Sequence, residues 1–262
     1  MLQIHGLSGQ PQTATIHAMA VCRGLGGQTA DRLLRLATVK RLGAHEVVFH
    51  EGDPADTTFE VIQGVLKLYK LMPDGRRQIT GFLYPGDILG LAFVGIYPFT
   101  AEAVTSVTLS RLPRARLEAM VEEVPQLACR LLMLARGELV DAQEQMLLLG
   151  RKSPLEKVAS FLMRLSERNA EQDGDAEEVY LPMSRTDIAD YLGLTIETVS
   201  RSFTRLRTAG IIALPRSSHV VLRDLDRLAD LAQGGDWSDA GHDKAGHPPK
   251  HTRSAAASME LC

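Results

Sequence analysis

Between residues 39 and 112 the chain runs as short apolar stretches broken by Gly, Pro and Asp: Val47-Val48-Phe49, Glu51-Gly52-Asp53-Pro54, Phe59-Glu60-Val61-Ile62, Gln63-Gly64. Breaks at intervals of about ten residues predict an all-β sandwich or roll. Two β-favouring segments, residues 65–70 and 77–82, flank Pro73-Asp74-Gly75 and predict a hairpin. Pro85-Gly86-Asp87 repeats that turn chemistry, and residues 101–112 alternate as strands do. The period changes at Pro113. Residues 126–149 hold no Pro and a single Gly, Gly137, which predicts one helix of about 24 residues closed by Gly150. Along it Ala128, Leu132, Ala135, Leu139, Ala142, Met146 and Leu149 recur at spacings of four and three. A seam this narrow suits one partner helix, so a parallel dimer helix is expected, the alternative being a helix packed on its own β-domain. Ser153 as N-cap and Pro154 as first helical residue open an amphipathic helix to about Glu167, and the acidic stretch 169–178 reads as a loop.

Residues 183–201 are the most informative of the chain. Ser184 caps a first helix with Asp187 in a capping-box position, and Ile188, Ala189 and Leu192 form its inner face. Gly193 permits the sharp turn, and Thr195 caps a second helix, 195–209, whose inward residues are Val199, Phe203 and Leu206. Gly210 ends it, and residues 211–222 predict a short hairpin, or wing, around Arg216-Ser217-Ser218-His219. The second helix of such a pair presents its first turns to base edges in the major groove. Glu197, Ser200 and Arg201 share one face there, and their chemistry fits readout: arginine pairs bidentately with guanine, glutamate accepts from cytosine N4, and serine suits several edges. The candidate DNA contacts are these three with Thr195, Thr198 and Arg205 on the same helix, Ser184 and Arg185 on the first helix, and Arg216 on the wing. The bland alternative is a helical hairpin whose Glu197 and Arg201 form only an exposed ion pair.

Composition adds constraints. The chain has 262 residues, 45% hydrophobic and 23% charged, as in an ordinary globular protein. Its net charge of −3 gives no general attraction to nucleic acid, so DNA binding has to rest on local arginines. Aromatic content of 5% suggests a roll filled by Val, Ile and Leu. No secretory signal is expected, because the first 22 residues lack basic residues, and no stretch is long enough to span a membrane; a cytoplasmic protein is expected. Cys22, Cys129 and Cys262 are too far apart for a disulfide framework or a metal knuckle.

The chain resembles the Crp/Fnr superfamily of bacterial transcription regulators, within it the FixK-like branch, over about residues 25 to 232. The supporting marks are Glu51-Gly52-Asp53, the run Asp74-Gly75-Arg76-Arg77-Gln78-Ile79, Pro85-Gly86-Asp87 and residues 146–152; the specific one is residues 187–201. The resemblance implies an α+β fold: an N-terminal double-stranded β-helix, a jelly roll of the cyclic-nucleotide-binding kind, then a long dimerisation helix and a C-terminal winged helix-turn-helix. It implies a homodimeric activator reading double-stranded DNA at a palindrome of the TTGAT, four-base gap, ATCAA type, with RNA polymerase as promoter partner and no enzymatic activity. The expected divisions are a flexible arm 1–24, a roll 25–124, a dimerisation helix 125–150, a DNA-binding domain 151–232 and a disordered tail 233–262.

Cofactors are expected to be absent. Cyclic-nucleotide relatives carry a Gly-Glu pair for the ribose and an Arg-Ser pair for the cyclic phosphate after the Pro-Gly-Asp turn; here, within residues 88–101, no acid follows Gly90 and no Arg precedes Thr100. Iron–sulfur relatives use three clustered N-terminal cysteines and one in the roll, whereas here only Cys22 is near the N-terminus, expected as a tolerated thiol in a loose arm, and Cys129 as a small buried apolar residue. His45 and His50 on a turn are expected as solvated, which leaves a cupin-like metalloenzyme as a distant third class behind a nucleotide sensor. His242, His247 and His251 fall in the tail.

Overall fold

The structure is a computed structural model that describes residues 20–91, 93, 95–171 and 174–235. A 3-10 turn, Ala20–Cys22, precedes helix α1, Gly27–Leu36, and eight strands follow: β1 Thr38–Leu42, β2 Val47–Phe49, β3 Thr57–Gln63, β4 Leu66–Leu71, β5 Arg77–Leu83, β6 Ile88–Leu89, β7 Thr100–Ala103 and β8 Val107–Pro113. They form two four-stranded antiparallel sheets, ordered β1-β8-β3-β6 and β2-β7-β4-β5. The expected hairpin is β4–β5, with Leu71 opposite Arg77 across the Pro73-Asp74-Gly75 turn. Between the sheets lie Val61, Leu66, Ala101, Ala103 and Leu109. The core is more aromatic than composition suggested: Phe49 stacks on Tyr97 at 3.6 Å between ring centroids, with Phe59 and Phe93 close by. Few aromatics in the whole chain does not mean few in one core.

Beyond Pro113 the chain is helical. Helix α2, Arg114–Glu123, packs with α1 on the open end of the roll, and α3 runs from Pro125 to Arg151. Gly150 lies inside this helix rather than closing it; the chain breaks at Lys152, which is extended. Along α3, Leu127 and Leu148 are buried while Leu132, Leu139 and Met146 are 59–64% exposed. Leu132, Leu139, Ala142 and Met146 of the seam thus face away from their own chain, while Ala128 and Ala135 are half-buried and Leu149 is half-buried against the C-terminal domain.

Helix α4, Pro154–Glu171, is followed by β9 Glu178–Tyr180, α5 Arg185–Leu192, α6 Ile196–Thr208, the hairpin β10 Ile212–Arg216 and β11 His219–Leu222, and α7 Leu225–Ala232. The stretch expected to be a loop is helical up to Glu171 and turns into strand at Glu178, because Val179 is buried and β9 pairs with β11 to make a three-stranded wing sheet. The core of this domain extends into the roll. Ile79 of β5, fully buried, belongs to the same cluster as Leu162, Ile188 and Phe203, with Phe82 packed beside it.

The arm expected to be loose at 1–24 is anchored at its described end. Ala20, Val21 and Cys22 are all at least nine-tenths buried, the backbone N–H of Ala20 donates to the Glu60 carboxylate, and Arg130 of α3 donates to the Ala20 carbonyl from Nε at 3.0 Å and Nη2 at 2.8 Å. Cys22 is therefore a buried thiol, pushed up to about 11 by its burial and by nearby Glu60. Such a thiol holds its proton and is a poor ligand or nucleophile. Cys129 is half-buried, less covered than expected. Residues 1–19 and the tail beyond 235, with its three histidines, lie outside the described residues.

Glu60 is 3% exposed, and burial pushes its carboxyl up to about 7 against the hydrogen bonds from Ala20 and Val21 and the charges of Arg23 and Arg130. An acid whose folded value lies above its unfolded one supports folding fully below about 4.5 and loses that support as pH rises through about 7. Glu60→Gln keeps the carbonyl that accepts from Ala20 and cannot ionise. Its stability relative to wild type should rise between pH 5 and pH 8 by up to about 3 kcal/mol, read from denaturant midpoints. A constant difference across that range contradicts the assignment.

Candidate nucleic-acid interface

Local chemistry builds two helices around a fixed corner. At the start of α5, Ser184 Oγ accepts the Asp187 N–H at 3.0 Å while Asp187 Oδ2 accepts the Ser184 N–H at 3.1 Å, a closed capping box. Gly193 ends the helix at φ 61°, in the left-handed region where glycine is least strained. Two residues later Thr195 Oγ1 accepts the Thr198 N–H at 3.2 Å and α6 begins. Its inner edge is Val199, Phe203 and Leu206, as expected, together with Ser202, whose Oγ donates to the Thr198 carbonyl at 2.9 Å.

The opposite edge is open. Thr195, Glu197, Ser200, Arg201 and Arg205 are exposed, and Thr198 is half-buried with its hydroxyl 3.0 Å from that of Thr195. The Glu197 carboxyl is held below its ordinary range by the backbone N–H at the helix start and the Thr195 hydroxyl, with Arg201 contributing further. It is therefore an acceptor at neutral pH. Ser184 is exposed at the head of α5 and Arg216 at the tip of the wing. Arg185 is placed differently from the rest: its guanidinium lies 3.7 Å over the Phe203 ring and burial lowers its pKa, so it braces α5 against α6.

The sequence reading missed the residues that hold this unit from behind. Asp187 is 7% exposed and its Oδ1 accepts from Lys67 Nζ at 3.1 Å and Arg77 Nη2 at 2.8 Å, both on the roll. On α3, Gln145 Nε2 donates to the Tyr191 carbonyl at 3.0 Å. The available signal was a lysine inside the apolar run Val65-Leu66-Lys67-Leu68, which a strand buried on both faces carries only if a carboxylate meets it.

A cleft of about 720 Å³ lies between β5, α3 and α4. Its roll side is Leu68, Gly81, Phe82, Phe93 and Phe99, and its helical side carries Glu138, Asp141, Glu144, Glu167 and Glu171. Burial, then Asp87 and Asp141, push Glu138 up to about 7. The two arginines of the cleft are engaged, Arg168 by Asp87 and Arg164 by Glu144 at 2.7 Å. Among the described lining residues, a cyclic phosphate would meet carboxylates, and both arginines are already paired. His45 and His50 are exposed, and no group of three metal-ligating side chains occurs among the described residues. No helix among the described residues is long and apolar enough to cross a membrane.

Two family models match the chain, a Crp-like helix-turn-helix domain over residues 156–231 and a cyclic nucleotide-binding domain over residues 39–124. Among curated relatives, the transcriptional activatory protein AadR of Rhodopseudomonas palustris is 45% identical over 199 residues, 76% of this chain and 83% of its own length. The nitrogen fixation regulation protein FixK of Bradyrhizobium diazoefficiens is 46% identical over 217 residues, 83% and 91% of the two chains. The solved structure of FixK2 from Bradyrhizobium japonicum is similar with a TM-score of 0.70 at 40% identity, covering 74% of this chain and 96% of that one.

The match to a nucleotide-binding fold and the charge of the cleft make opposite demands, and titration calorimetry decides between them. Cyclic AMP and cyclic GMP should each give no binding heat at micromolar concentrations; micromolar affinity for either would overturn the reading of the cleft.

Proposed function

Because this chain belongs to the Crp/Fnr family of DNA-binding transcription regulators, we propose that it acts as a cytoplasmic homodimer that binds a palindrome of the TTGAT, four-base gap, ATCAA type and activates transcription through RNA polymerase. The observation that carries this reading is the start of α6, where Glu197, Ser200 and Arg201 stand exposed on one face of a helix whose opposite face is fully buried. Arg201 pairs with the guanine of each half-site, Glu197 accepts from a neighbouring cytosine N4, and Ser200 completes the edge contacts. Thr195, Thr198 and Ser184 line the approach to the backbone, and Arg205 and Arg216 flank it as phosphate partners. Arg185 supports the pair from within.

The exposed stripe of α3 supports the dimer. Leu132, Leu139 and Met146 are each more than half exposed in the single chain, with Ala128, Ala135 and Ala142 between them permitting close approach. A second copy laid parallel covers both stripes at once. Two half-sites one helical turn apart then meet two recognition helices related by the same two-fold axis.

Two measurements check this. In competition titrations at fixed salt, Arg201→Ala should lose about 1 to 3 kcal/mol of discrimination against a site changed at the guanine of each half-site, while Arg216→Ala should weaken all duplexes alike and lower the salt slope by about one per contact. An Arg201→Ala protein that keeps the guanine preference refutes the assignment. Leu139→Glu places two like charges in the dry seam, and sedimentation should show a monomer where wild type is a dimer, a cost of several kcal/mol. A full dimer after that change places the seam elsewhere.

A further inference from the structure

Two motifs of the sequence, the Asp74-to-Ile79 run of the roll and the start of the helix-turn-helix, lie 110 or more residues apart and touch in the fold. Arg77 bridges two carboxylates of α5, donating from Nη2 to Asp187 at 2.8 Å and from Nε to Asp190 at 2.7 Å. Gln78 Nε2 donates to the Asp190 carbonyl at 2.8 Å. Lys67, 4% exposed, lies between Asp187 at 3.1 Å and Glu102 at 3.0 Å. Beneath these polar contacts Ile79 is sunk in the core of the DNA-binding domain, and the Phe82 ring lies 5.3 Å from that of Tyr191.

The covalent link between the domains is slight, and the side-chain links outside α5 include the ion pairs of α4, Arg168 with Asp87 of the roll and Arg164 with Glu144 of α3. α3 ends at Arg151 and α4 starts at Pro154, so the covalent connection is Lys152-Ser153, with Lys152 extended. A joint of two residues between helices absorbs rotation easily. The direction of α6 relative to α3 then depends on what grips α5: the roll through Arg77, Gln78 and Lys67, α3 through Gln145, and α4 through Arg164, which donates to the Tyr191 hydroxyl at 3.1 Å. The grip lies behind the readout face and leaves Glu197, Ser200 and Arg201 exposed. An inhibitory contact would cover them.

We propose that Arg77, with Gln78 and Lys67, is a positioning residue for DNA recognition: by fixing α5 to the roll it sets the separation and tilt of the two recognition helices, and so makes the dimer selective for the length of the gap between half-sites. This rests on the dimer and palindrome of the proposed function. One added base pair turns the second half-site by roughly 35° and moves it about 3.4 Å. A held pair of helices cannot follow that displacement, whereas a pair on two-residue joints can. Base selectivity within a half-site belongs to α6 and does not depend on the grip.

The experiment is a competition titration with palindromes whose gaps are three, four, five and six base pairs, and with one whose guanine is changed, for wild type, Arg77→Ala, Asp190→Ala and the double variant. Wild type should prefer one gap. Arg77→Ala, which breaks both carboxylate contacts, should lose about tenfold of that preference, Asp190→Ala a smaller share, and the double variant no more than Arg77→Ala, since Asp190 acts through Arg77. All should keep the guanine preference. Asp190→Ala, at a partly exposed position, supplies the reading by itself if circular dichroism shows that Arg77→Ala folds poorly. A wild-type protein indifferent to base and gap alike overturns the proposed function together with the grip. A wild type that reads the guanine but ignores the gap overturns the grip alone. The same follows from an Arg77→Ala or Asp190→Ala protein with the wild-type gap preference, or from losses that multiply in the double variant.

Discussion

One carboxylate, that of Asp187, is shared by four donors. Ser184 contributes its backbone N–H at 3.1 Å and its hydroxyl at 2.6 Å to Oδ2, and Lys67 and Arg77 contribute at 3.1 Å and 2.8 Å to Oδ1. Burial alone would raise this acid; the hydrogen bonds from Ser184 and Lys67 outweigh it and hold the group below its ordinary range. A charge removed from water is tolerated only when its neighbours satisfy it almost completely, which makes the arrangement specific as well as stable. Through it the start of α5 is fixed at the same time to its own cap and to the roll. The corner at Gly193 and the direction of α6 follow from there.

The fold separates two tasks that charge would otherwise confuse. A chain of net charge −3 is not drawn to DNA as a whole, so its cations have to be placed. Arg77, Arg164 and Arg168 are spent on internal carboxylates, whereas Arg201 and Arg216 stand exposed on the recognition helix and the wing. The acidic cleft behind α3 shows the reverse economy. There a fold that matches a nucleotide-binding family presents Glu138, Asp141 and their neighbours where an anionic ligand would need a cation. The match is to an architecture, so function has to be argued from the site.

Much of this molecule was legible in its sequence. The caps at Ser184 and Thr195, the positive φ at Gly193, the inner faces of α5 and α6, the β4–β5 hairpin and the apolar stripe of α3 all lie where local patterning put them. Each is decided within a turn of helix or a tight bend, by a hydroxyl reaching an N–H three residues away, by the steric freedom of glycine, or by a period of two or 3.6. The candidate DNA contacts were legible for the same reason, since a helix that buries Val199, Phe203 and Leu206 has to present Glu197, Ser200 and Arg201 on its other side.

Tertiary structure decided the rest, because those features depend on partners far away in the chain. Arg185 reads in the sequence as another DNA contact, but its guanidinium lies over the Phe203 ring. Val179 became part of a strand only because β11 offered an edge. The end of the arm was fixed by Glu60 and Arg130, 40 and 110 residues beyond Ala20, and Asp187 by Lys67, 120 residues before it. A buried charge announces in the sequence that it must have a partner. Which residue answers is set by how two sheets and three helices pack, and no local pattern encodes that.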